Sequence, residues 1–480
     1  MAITVTQQPN QFNLAVQPNV WTLSGITTED GYTLEIFPQG SATSIAKVRQ
    51  PANPAGVAHF DVAKILQAQL GTAFYETTTQ VAPTPGETYT YYVRYGTYTD
   101  NIDTFEPTGS GTNFIFNGYD NWRNLNWNDT PFNPDPTVFE CENAAVNNVE
   151  YREPYRYLTN FPNDSYPLRS SSYHTLGFMN KTKGSTTTGT DYALNVQPAF
   201  VRVQFYNSIG GLIQTAIYSI TEANGLGPRP DYNSTFIPAY ETSEYVGVVG
   251  AGPQNLKDAG YWPQSHTAIW NEVTQVWGNY SVIWNLATST ALVDHYVVDI
   301  MSINQCEVAQ FGVPPSDDAA DLLPYLGDVI YSQTFQVADP CSKFDDVTVS
   351  FVNQYGVKDY FTFDRRNTYG VNTSRQEYYQ TTGSWSDATF SIDQHNGGST
   401  VFSSEIETQM TLSSNWMDDN TSAWLEELYK SPSVQVYYNG QWEPAVITSN
   451  NYQQKTYSRD KLFQHVLQVK FANNQRVQRG

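Results

Sequence analysis

"CSKFDDVTVSFVNQYGVKDYFTFD", Cys341 to Asp364, decides how the rest of the chain reads. Val347, Val349 and Phe351 alternate on one face of an extended segment. Asn353-Gln354-Tyr355-Gly356 follows, and Asn and Gly are residues that tolerate positive φ. Tyr360-Phe361-Thr362-Phe363 then resumes the extended pattern, so the stretch predicts a β-hairpin. It also carries an adjacent carboxylate pair, Asp345-Asp346, close to Cys341. It is therefore either the edge of an active site or one unit of something built from hairpins.

The same signature occurs earlier. Val201-x-Val203-x-Phe205-x-Asn207-x-x-Gly210 matches Val347-x-Val349-x-Phe351-x-Asn353-x-x-Gly356 at every spacing, 146 residues apart. Common hairpin chemistry produces such a match, and so does a duplicated domain; the sequence leaves both open.

The bulk composition agrees with hairpins. A chain of 480 residues exceeds one core and predicts three or four domains. Aromatics make up 14%, with 34 Tyr, while charged residues are only 15%. Thr, Ser, Asn and Gln fill much of the rest, which favours strands over helices. So many aromatics require burial or contact, which argues against disorder. The net charge of −22 makes nucleic acid a poor partner, because phosphate binding needs Lys and Arg. The charge is uneven: residues 341–480 hold 12 Lys and Arg against 15 Asp and Glu, and residues 1–340 hold 13 against 32. From Lys455 onward the chain carries Lys455, Arg459, Lys461, Lys470, Arg476 and Arg479 against Asp460 alone. This basic end is a candidate docking element for an acidic neighbour, or simply a solvated terminus. Three cysteines, Cys141, Cys306 and Cys341, make neither a disulfide framework nor a CxxC site, which fits folding in a reducing cytosol. No apolar run reaches the length of a membrane span, and MAITVTQQPNQF lacks the pattern of a secretory signal.

Along the chain the expected class is all-β, with multiple β-sandwich domains and a few short helices. Residues 1–106 read as a sandwich with short strands, Gly turns and the long strand Thr88–Thr99, an order that resembles immunoglobulin and fibronectin-III modules. Phe60–Leu70 has helical spacing, with Asp61 as N-cap. Residues 107–190 form an irregular connecting region rich in aromatics, Asn and Pro. Residues 191–340 read as a second sandwich, with strand Asp294–Ile303 and a helical turn near Asp317–Leu326. Residues 341–480 read as a C-terminal sandwich, a duplicate of the preceding one if the repeat is a duplication. There Ser384–Asp393 and Val401–Leu412 read as strands, Thr421 or Ser422 caps a helix bearing Trp424, Leu425, Leu428 and Tyr429, and Asn439-Gly440 marks another hairpin, followed by a strand or strand pair at Lys461–Ala472.

Catalytic constellations are weak. The pairs Glu140/Glu142, Asp317-Asp318, Asp345-Asp346 and Asp418-Asp419 are too close in sequence to face each other across a sugar, so capping or solvation is their expected role. Six histidines show no metal-ligand spacing. Asp294-His295 is half of a triad without a GxSxG nucleophile elbow. No nucleotide loop or calcium loop is present, and no cofactor or metal is expected. Trp122, Trp127, Tyr151, Tyr155 and Tyr157 sit among amides and carboxylates. Such a set serves a protein interface, a sugar-binding face, or the anchoring of loops.

One resemblance joins these pieces. The run Cys341-x-x-Phe344, Asn353-x-x-Gly356, Phe361-x-Phe363, followed by "SAWLEELYKSPSVQVYYNGQWEPAVI" and "KTYSRDKLFQHVLQVKFA", resembles virion proteins of tailed phages of Bacteroidetes, including crAss-like phages. "RYLTNFPNDSYPL" (Arg156–Leu168) and "GVAHFDVAKIL" (Gly56–Leu66) are similar to other segments of those proteins. The resemblance implies a non-enzymatic structural protein of the tail or head–tail connection, with no catalytic residues to carry over. It would be made in the host cytoplasm, released by lysis, and assembled with itself as a ring or with other virion proteins. The alternative is a receptor-binding protein that takes a host surface glycan through residues 113–190.

Overall fold

The computed structural model describes residues 3–9, 12–26, 29–71, 82–83, 88–106, 113–116, 118, 157–162, 166–180, 200–219, 245–263, 270–271, 276–277, 282–284, 293–303, 323–338, 343–381, 383–386, 388–392, 398–449, 462–473 and 475–478. The fold is all-β and multi-domain, with three short helices among these residues. It divides into two compact units: residues 1–340 with 352–360, and residues 341–351 with 361–480.

Unit 1 opens with strands β1 (Thr4–Gln7), β2 (Phe12–Leu14), β3 (Val20–Ser24), β4 (Gly31–Pro38) and β5 (Ala46–Pro51). Then come β6 (Val57–Asp61), helix α1 (Ala63–Gln67), β7 (Ala82–Pro83), β8 (Thr88–Thr99), β9 (Ile102–Phe105) and β10 (Asn113–Phe116). One sheet runs β1-β3-β6 and another β2-β10-β8-β4-β5, with β9 on β8. Alternation builds the core between them. Trp21, Leu23 and Phe60 come from the first sheet, and Tyr32, Leu34, Ile36, Tyr91, Val93 and Ile115 from the second. The helix is shorter than its spacing predicts. Phe60 and Asp61 pair with Trp21 and Val20 in the sheet, and α1 starts behind Val62 rather than an Asp61 cap. Asp61 still serves the helix start, accepting from Ala63 N at 3.1 Å.

The β8–β9 turn, Asp100-Asn101, has both residues at positive φ, and it sets Asp103 against β5. Arg49 grips Asp103 through Nε at 2.8 Å and Nη2 at 2.7 Å, and Lys47 Nζ adds a contact at 2.8 Å. The hydrogen bond from Arg49 holds the Asp103 carboxyl well below the usual range. A depressed carboxylate stabilises the fold above its unfolded pKa and loses that contribution as pH falls. Both cations are substantially exposed, so solvent screening keeps the gain small. A double-mutant cycle of Asp103→Asn with Arg49→Met should return that coupling at pH 7. A cycle that shows no coupling beyond experimental error would leave the cluster without a stabilising role.

The rest of unit 1 adds β11 (Leu168–Arg169), β12 (Thr175–Asn180), β13 (Phe200–Tyr206), β14 (Leu212–Ser219), β15 (Tyr245–Gly250) and α2 (Pro253–Asp258). After these come β16 (Trp270–Asn271), β17 (Val276–Trp277), β18 (Val282–Trp284), β19 (His295–Ile303), a 3-10 turn at Leu323–Tyr325, and β20 (Leu326–Ala338). The helical turn expected near Asp317–Leu326 is this 3-10 turn as far as the described residues reach. A six-stranded sheet runs β11-β20-β19-β13-β14-β18.

Unit 2 is built on β21 (Val347–Val352) and β22 (Lys358–Phe363), less residues 352–360 that belong to unit 1, with β23 (Thr368–Gln380), β24 (Ser384–Trp385), β25 (Phe390–Ser391) and β26 (Gly398–Ser413). It continues through α3 (Asp419–Lys430), β27 (Val434–Tyr438), β28 (Gln441–Ile447), β29 (Val466–Phe471) and β30 (Gln475–Gln478). Its main sheet runs β22-β21-β27-β28-β29-β26-β23, with β30 on β26. Asn439 (φ 52) and Gly440 (φ 80) make the tight β27–β28 turn that the Asn-Gly pair predicts. The helix cap is Asp418, whose carboxylate accepts from Thr421 N at 2.9 Å, three residues before the expected Thr421. One of the adjacent carboxylate pairs is therefore a capping device.

The repeated signature is one turn used three times. Asn353 Oδ1 accepts from Tyr355 N at 2.9 Å and Val357 N at 3.1 Å, and Gly356 takes φ 83. Asn207 does the same for Ile209 N and Gly211 N, with Gly210 at φ 78. Asn53 repeats it for Ala55 N and Val57 N, with Gly56 at φ 73. The side chain replaces a backbone acceptor, which is why Asn and Gly recur at this spacing. Beyond the turn, two stretches share a strand order. β14-β13-β19-β20 in one sheet matches β22-β21-β27-β28 in the other, with a helix in the excursion after each first hairpin.

Candidate interaction surface

β23 and β26 form a ribbon of unusual length for its lack of cover. They pair antiparallel from Thr368↔Thr411 to Gln380↔Gly398, about 40 Å at normal strand rise. Twelve of the thirteen residues of β23 are exposed. The root of the ribbon is fixed in the core by Met410 and Leu412 of β26, beside Leu467 and Val469 of β29. Asn367 Oδ1 accepts from Ser413 N there at 3.1 Å. Past Gln376 the ladder shifts: Gln376 faces Ser403 and Glu377 faces Val401, so Phe402 bulges out of β26 and is exposed. The connection beyond β23 contains the small hairpin β24–β25, where Ser384 and Ser391 hydroxyls meet at 2.7 Å.

This surface mixes apolar rings with short polar residues. Tyr369, Val371, Tyr378, Phe390 and Phe402 are all exposed, and Tyr379 reaches 78%. β23 carries two charges, Arg375 and Glu377. Two residues apart in a strand, they share a face. Ser399 Oγ donates to Glu377 at 2.6 Å. Among the described residues no strand pairs with the outer edge of β23. An open edge of this length presents a row of backbone donors and acceptors, and β23 lacks the usual protection of Pro, Lys or a bulge of its own.

The residues singled out from sequence fall elsewhere. Trp122, Trp127, Tyr151 and Tyr155 lie outside the described residues. Tyr157 is fully buried in unit 1, stacked on Tyr331 at 5.4 Å and donating its hydroxyl to Val298 O at 3.1 Å. It packs the core and presents no face to a sugar or a partner. At the basic end, Lys455, Arg459, Lys461 and Arg479 lie outside the described residues, as do the side chain of Arg476 and all three cysteines. Lys470 is engaged with Glu407 at 3.5 Å across its own sheet. Of the ribbon's two strands, β26 is legible as Val401–Leu412, whereas β23 is not, because an exposed strand carries no burial alternation; its signal is a run of Thr, Tyr, Val, Ser and Asn with few charges.

Two His pairs bear on catalysis. His295 Nδ1 lies 3.0 Å from Asp294 Oδ2, and its ring stacks on Tyr206. Ser422 Oγ and His465 Nε2 meet at 3.0 Å, and burial lowers the His465 pKa to about 4. Ser422 is fully enclosed in α3, where no substrate reaches it, so the pair ties the helix to the segment entering β29. Among the described residues no three His, Cys, Asp or Glu gather as metal ligands, and no helix is long and apolar enough to cross a membrane. No protein-family model matches the sequence, and no curated protein matches it.

Proposed function

We propose that the chain is a non-enzymatic structural protein of a phage virion, part of the tail or the head–tail connection, which assembles through its β-domains. The observation that carries the assembly reading is the β23–β26 ribbon. A monomer that ends its work alone has no use for a long, charge-poor open strand flanked by exposed Tyr, Val and Phe. Such an edge serves β-strand addition, in which backbone pairing supplies affinity and side chains supply register. The resemblance of residues 341–472 to phage virion proteins supports the placement in a particle. Light scattering after size exclusion, across protein concentration and salt, tests assembly. The expected result is a discrete mass above one chain that grows with concentration. A monomer at every concentration overturns autonomous assembly.

A further inference from the structure

We infer that the outer edge of β23 pairs with β23 of a second copy of this chain, antiparallel and centred on Gln376. The inference rests on the assembly reading and names the partner for this edge.

The pattern around Gln376 is complementary to itself. An antiparallel pairing centred there sets Arg375 of each copy opposite Glu377 of the other, twice per contact. No other antiparallel register brings these two charges face to face. They are the only charges on the strand, so one register is favoured and shifted ones gain nothing from them. Arg375 is exposed and makes no ion pair among the described residues, so it is available. The flanking pairs also fit. Ser374 falls opposite Tyr378 and Thr373 opposite Tyr379, which places a large ring over a short polar residue on both faces. The bulge at Phe402 is on β26, so β23 keeps an unbroken ladder for a partner. A contact of this kind is two-fold and closes at two copies, so any larger particle must use another face as well.

The test is a charge swap read by light scattering on the full chain. Arg375→Glu alone and Glu377→Arg alone place like charges opposite each other, and each should weaken dimerisation about tenfold or more. The double variant restores opposite charges and should return to within about threefold of the parent. Both positions are exposed, so folding is not at issue, and circular dichroism checks it. Gln376→Cys provides a second readout. Its two copies face each other across the axis, so mild oxidation should give a disulfide-linked dimer, while Asn372→Cys, which faces position 380, should not. Assembly that persists unchanged in all charge variants, without a cross-link at 376, overturns this pairing and leaves the assembly reading standing. A parent chain that stays monomeric at every concentration overturns both.

Discussion

Replacing His174 by Phe flattens the acid limb of the stability of unit 1 between about pH 6.5 and pH 3. His174 is fully buried, with ring centroids of Phe161 at 4.7 Å, Phe335 at 5.3 Å and Tyr360 at 6.3 Å. Burial among these rings lowers its pKa from the ordinary 6.5 to about 3. The sign follows directly. In the folded state the ring stays neutral until about pH 3, while the unfolded chain takes a proton below pH 6.5. The contribution is whole above pH 6.5 and drains as pH falls, by about 1.4 kcal/mol per pH unit. Over the window the loss is on the order of 5 kcal/mol, comparable to the whole stability of many domains. Phe keeps an aromatic ring, somewhat larger than imidazole, and has no ring nitrogen to protonate, so each protein is compared with itself across pH. Guanidinium titrations at pH 7, 5 and 4 should show the parent losing several kcal/mol more than the variant, which keeps only the smaller acid loss of groups such as His465 and Asp103. Parallel acid limbs would remove His174 from the account.

Trp424→Ala should cost unit 2 about 3–5 kcal/mol. Trp424 is almost wholly buried, on the face of α3 turned to the sheet, 5.7 Å from the ring of Phe351 and 6.1 Å from Phe361. Leu425 and Leu428 complete that face with no exposure. Truncation leaves a large void under two aromatic rings of β21 and β22. Those rings sit in a sheet whose backbone pairing prevents collapse. Native-state hydrogen exchange of β21 and β27 amides reads the loss inside unit 2. Trp416→Ala is the control: that residue is 60% exposed and should change the same amides by less than about 0.5 kcal/mol. Equal effects from the two substitutions would contradict a core centred on Trp424.

The opening hairpin shows what a sequence reveals and what it withholds. Its turn was legible because Asn353 and Gly356 are needed for specific backbone reasons. Its burial was only half legible. Alternation put Val347, Val349 and Phe351 on one buried face, yet Thr348 and Ser350 are buried too. Their hydroxyls find partners, Thr348 with Thr362 at 3.1 Å and Ser350 with Gln435 at 3.4 Å, so a polar residue in the pattern did not mean solvent. α3 was legible from Trp424, Leu425 and Leu428, but its start was not, because Asp418, Thr421 and Ser422 are all good caps and only geometry chooses. The ribbon was the reverse case. Nothing in β23 is buried, so period-two reading had no signal to follow, and the open edge appears only once β26 is known to take its other side.

The tip of that same hairpin sets a schedule for synthesis. Residues 352–360 belong to unit 1, although they are made after nearly three-quarters of the chain. Asn353 Nδ2 donates to Leu158 O, Thr159 Oγ1 to Asp359, and Thr175 Oγ1 to Lys358 O, over separations of 195, 200 and 183 residues. On the ribosome, residues 157–178 must therefore wait for their partners. At roughly 10 residues per second, that wait is about 20 s. A fragment ending at Pro340 would lack those partners entirely, and any recombinant dissection of this chain should carry unit 1 through Tyr360.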